Sequence, residues 1–178
     1  MIETLLPGMT ILKNNLHPLM IHFPIAFFVG ALAMEAMAVF RDEKFHFAAT
    51  WMLYLGTISA LIALPTGFIA GELAAQNDPR GHSAPGHELI HVHRDWMVAT
   101  TGVGILLTIY LFWINGWGKW RSQRWAFLFG LMILSALVAM GADRGGRLVF
   151  EFGTGINPEV LAKPAEEDDH HEDDGHSH

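Results

Sequence analysis

Four stretches of the chain read as long, nearly uncharged apolar runs. Leu19 to Phe40 holds a single charged residue, Glu35, while Phe45 to Gly71, Trp96 to Gly118 and Trp125 to Ala142 hold no Asp, Glu, Lys or Arg. A helix needs about 20 residues to cover roughly 30 Å of hydrocarbon. These runs are apolar on every face, where a soluble amphipathic helix is apolar along one stripe. The pattern therefore predicts four transmembrane helices, with Trp125 to Ala142 the shortest. Helix two carries Gly56-x-x-x-Ala60 and Gly67-x-x-x-Gly71, spacings that let helices approach closely in lipid. Pro65 is expected to kink it.

Charge sets an orientation. The short linkers between helices one and two (Arg41, Lys44) and three and four (Lys119, Arg121, Arg124) hold five basic residues. The other side spreads Lys13, Arg80, Arg94, Arg144, Arg147 and Lys163 over far more chain. The positive-inside rule then places the short linkers in the cytoplasm and both termini outside, as in a bacterial-type inner membrane. Trp113, Trp117, Trp120 and Trp125 form an aromatic belt on the inner side.

Composition narrows the function. Apolar residues make up 51% of the 178 and charged ones 16%, against about a quarter charged in soluble domains. The net charge of -7 comes from the segment 164–178, whose run D-D-H-H-E-D-D-G-H-S-H reads as a disordered tail able to hold a divalent metal loosely. The rest is neutral, which excludes a nucleic-acid surface. Having no cysteine, the chain has no disulfide, thiolate-held cluster or covalent haem attachment. The expected organisation is an N-terminal interfacial segment (1–16), a transmembrane domain (17–157) and the tail (158–178). No secretory signal pattern is present at the N-terminus.

Histidine is the candidate chemistry. His17 and His22 open helix one, and His82, His87, His91 and His93 lie in the second loop and the approach to helix three. All six fall on the proposed outer side; His46 sits alone in the first inner linker and reads as a plain interfacial residue. Imidazole is a common metal ligand and an axial ligand for haem iron. With a helix starting near Pro85, His87 and His91 stack on one face at i, i+4 and His93 points off it. His22 is expected inside the first turns of helix one, shielded from water, and Pro24 makes that entry irregular. Bland alternatives stand beside these: a histidine near Pro24 bonding a freed carbonyl, and solvated loop histidines.

Two motifs are familiar. H-P-L-M-I-H-F-P-I-A at His17 to Ala26 and G-G-R-L-V-F-E-F-G-T-G-I at Gly145 to Ile156 resemble the family of predicted membrane proteins known as domain of unknown function 2231. P-T-G-F-I-A-G-E at Pro65 to Glu72 is similar to that family's second helix end. The resemblance implies a four-helix membrane domain and a haem b site, with His17 and His22 at the motif positions.

The alternation of Leu148, Phe150 and Phe152 with Arg147, Val149 and Glu151 predicts a short extended C-terminal segment. Arg144 and Arg147 are placed to meet haem propionates or to anchor the helix end at the headgroups. The fold class is thus all-α, a four-helix transmembrane bundle. The leading function is a haem-b electron carrier, with His22 and His87 or His91 as ligands and His17 as a further one. Its partners would be lipid and a periplasmic cytochrome or membrane redox complex. The alternatives are a protein that handles divalent metal through His17, His22, His87, His91 and His93, with Glu72, Glu88 and Asp95 nearby, and a structural subunit. No phosphate loop or nucleophile–base pair argues for an enzyme.

Overall fold

The computed structural model describes residues 15–78 and 80–156. Nearly all of the expected N-terminal segment, and the tail from 158, lie outside the described residues. Among the described residues, four spans are long and apolar enough to cross a membrane. The first, His17–Phe40, is made of a short helix α1 (His17–Met20) and α2 (His22–Phe40), joined at Ile21. The second is α3 (Phe45–Asn77), the third α4 (His87–Gly116) and the fourth α5 (Trp120–Phe150). A 3-10 turn, Gly81–Ser83, precedes α4.

The break at Ile21 matches the irregular entry expected from Pro24. Proline has no N–H to give the preceding turn, and Ile25 N–H reaches Ile21 O only at 3.4 Å. Pro65 behaves differently: α3 runs through it without interruption. Gly86 sits at φ 88° before α4, a conformation open to glycine at little cost.

The spans are adjacent in chain order. The first packs on the second and fourth, and the third packs on the second and fourth, so the first and third face each other across the bundle axis. Small and hydroxyl residues fill the interior: Ala31, Ala49, Ala60, Ala63, Thr57, Ser59, Thr100 and Thr101 are buried. Large apolar side chains point outward, with Phe112 74% and Phe47 71% exposed. That inverts the soluble pattern and suits a bundle solvated by lipid. A core of larger side chains lies among the small ones, with Phe28, Leu53, Leu111, Ile114, Phe127, Leu131 and Leu134 fully buried, and Phe28 depends most on glycine. It fills the centre because Gly56 and Gly104 have no side chain, and a Cβ there would lie 2.7 Å and 3.0 Å from its ring. The expected close approach at Gly56 and Ala60 is therefore present. Thr57 and Thr108 share a hydroxyl hydrogen bond of 2.8 Å between the second and third spans.

Two expectations are corrected. The fourth span is not the shortest, since charged residues end its apolar run without ending the helix. The extended reading of the closing motif also fails, because helix continues to Phe150. Only Leu148 of the alternating set is buried, and the backbone keeps its helical bonds until Gly153, at φ 64°, turns the chain.

Candidate functional site

Helix packing brings histidines of the first and third spans into the bundle at one end. His17 is half-buried in α1, and its Nδ1 lies 3.1 Å from Thr66 Oγ1. The Thr66 hydroxyl already donates to Ala63 O at 2.6 Å, so it accepts from His17 Nδ1–H. His93 is half-buried in α4 and donates from Nδ1 to Gly141 O at 3.1 Å. Both imidazoles thus carry their proton on Nδ1 and keep the Nε2 lone pair free. Metal-bound histidines show the same arrangement, with the distal N–H anchored on an oxygen. Glycines give these rings their room. A Cβ at Gly67 would lie 2.9 Å from the His17 ring, and one at Gly145 3.2 Å from the His93 ring. His93 lies within electrostatic reach of both His17 and Arg144.

This placement differs from the expected one. His22 is exposed, not shielded inside the entry, because five residues along a helix turn it well away from the His17 face. His93 does point off the His87–His91 face, and that direction takes it into the bundle. It heads the stripe His93, Met97, Thr100, Gly104, which packs against the fourth and second spans.

His87 and His91 do stack as their spacing predicts, with rings 4.7 Å apart and Nε2 atoms 3.0 Å apart. Their face is superficial, however: His91 and His82 are exposed, and the His82 ring lies 4.7 Å from that of His87. Arg144 donates to Met140 O at 2.7 Å and lies over the Trp96 ring at 4.3 Å. Arg147 is held by Glu151 through two bonds of 2.9 and 3.0 Å. Among the described residues, no three His, Asp or Glu side chains stand arranged to hold a metal ion.

The opposite end holds a site that sequence reasoning missed. Glu35 is 0% exposed, and its Oε2 meets His46 Nδ1 at 2.7 Å. Trp120 Nε1–H donates to Glu35 Oε1 at 2.6 Å. His46 Nε2 lies 3.0 Å from Asn115 Oδ1, and its ring stacks on Trp120 with centroids 4.6 Å apart. Each span supplies one member. The network floors a cleft of about 550 Å³ lined also by Asp42, Glu43, Lys44, Phe47 and Thr50. In that cleft the backbone N–H and ammonium of Lys44 hold Asp42 below the usual carboxylate range. His46 is therefore not a plain interfacial residue. The sequence did carry a signal: Glu35 is the one charged residue inside the four apolar runs, and His46 opens the next span only eleven residues on. A buried carboxylate in lipid needs such a partner.

A family model described as a predicted membrane protein, DUF2231, matches residues 13–158. No curated protein and no solved structure matches the chain.

Proposed function

The chain belongs to the DUF2231 family of predicted membrane proteins, and from that premise we propose that it is a haem-b-binding electron-transfer subunit with two histidine ligands near one membrane face. One observation carries the reading: His17 and His93 enter the bundle at the same end, each with Nδ1–H anchored and Nε2 free. The donor set fits haem iron, and glycines at 67 and 145 cradle the rings where any side chain would intrude. This pair replaces His22 with His87 or His91 as the favoured ligands, since His22 is exposed.

In this reading the residues have distinct tasks. Thr66 and Gly141 O fix ring orientation and make each Nε2 a better donor. Arg144, half-buried and near His93, supplies positive charge for propionate groups. Arg147, bound to Glu151, supports that role less. When bound, haem b would supply a one-electron couple, with His17 and His93 as the residues that would hold it.

The positive-inside argument places this end on the outer face of an inner membrane, with both termini outside and a periplasmic cytochrome or membrane redox complex as partner. The alternative of divalent-metal handling draws only on the surface histidines, and a purely structural subunit would need none of them. Protein produced with ample haem and purified in detergent should show a Soret band and sharp reduced α bands. A preparation free of haem absorbance under those conditions would end this reading.

A further inference from the structure

The superficial histidines lie apart from the inward pair and have a geometry of their own. His87 and His91 occupy the first two turns of α4, with Nε2 atoms 3.0 Å apart. Two imidazole nitrogens bound to one first-row cation at about 2.0–2.1 Å, at right or tetrahedral angles, lie roughly 2.8–3.4 Å apart. The free protein already holds that edge of a coordination sphere. With both rings neutral, one Nε2–H donates to the other nitrogen; on binding, a cation takes the place of that proton, which moves through water to Nδ1 of the same ring, so both ligands stay neutral and no net proton is released.

We infer that His87 and His91 form a two-imidazole clamp for a borderline divalent cation such as Zn²⁺, Ni²⁺ or Cu²⁺, with water completing its coordination. Three features favour it. His82 stands beside the pair, its ring 4.7 Å from that of His87, as a neighbouring imidazole. Glu72 lies within electrostatic reach of His87 and favours positive charge there. The neighbouring cations are already engaged, Arg80 by Asp78 at 3.0 Å and Arg94 by Asp95 at 3.0 Å. Nitrogen ligands in this number suit Zn²⁺, Ni²⁺ and Cu²⁺ over Mg²⁺ or Ca²⁺, which take oxygen. The clamp does not use His17 or His93, whose rings are anchored inside the bundle.

The tail histidines would bind the same ions, so the test uses the full chain with His170, His171, His176 and His178 changed to Ala. Ni²⁺ and Zn²⁺ are titrated calorimetrically into this protein in detergent, with helix content followed by circular dichroism. One saturable cation per chain is expected. His87→Ala or His91→Ala, both superficial changes that leave the core intact, should weaken it by at least about tenfold, while His22→Ala should not. Any Soret band should survive His91→Ala, which separates the clamp from the haem reading. Absence of saturable binding, or equal binding in the His91→Ala protein, would overturn the inference.

Discussion

Glu35 shows most plainly how single side chains are constrained here. Its carboxylate is fully buried and its two oxygens meet His46 and the Trp120 indole. Glu35→Ala leaves both partners without an acceptor, and removing one member of a buried pair costs about 3–5 kcal/mol. We expect a fall of that size in unfolding experiments in mild detergent. A loss under about 1 kcal/mol would mean the network is far more hydrated than its burial implies. At this scale the sequence was partly legible. The His87–His91 stack depends only on local helical period and was readable. The pairing of His17 with His93 depends on which face of each span turns inward. Spans apolar on all sides leave that face unmarked, so the sequence favoured His22 over His17.

At the scale of elements, the four spans were legible because charge-free runs of this length have few alternatives in water. Their ends were less so. Charge terminates an apolar run but not a helix, which is why α5 extends from Trp120 to Phe150 and absorbs the segment that alternation had marked as extended. Helix contacts were legible only where small residues marked them. Gly56 is the clearest case, since a Cβ there meets the Phe28 ring at 2.7 Å. Gly56→Leu should separate the first two spans and destabilise the bundle by about 1–3 kcal/mol. Gly102, whose surroundings are open within 4 Å, provides the control: Gly102→Leu should be nearly neutral. Equal effects of the two, measured as loss of folded protein on heating, would contradict the packing described.

The whole molecule is a bundle with two chemically different ends. One gathers six histidines, and the other joins Glu35, His46, Asn115 and Trp120 beside the basic linkers. Positive charge density predicts that the linker end faces the cytoplasm. A reporter active only in the cytoplasm should therefore be silent when fused after His178 and active when inserted between Arg41 and Lys44; the reverse would move the histidines to the inner face. In the proposed haem reading the inward histidines, not the conspicuous ones, would hold the cofactor. The most direct measurement compares the visible spectra of His93→Ala and His22→Ala proteins purified with haem supplied. On that reading, His93→Ala loses the low-spin spectrum while His22→Ala keeps it. A low-spin spectrum unchanged by His93→Ala and abolished by His22→Ala would contradict it.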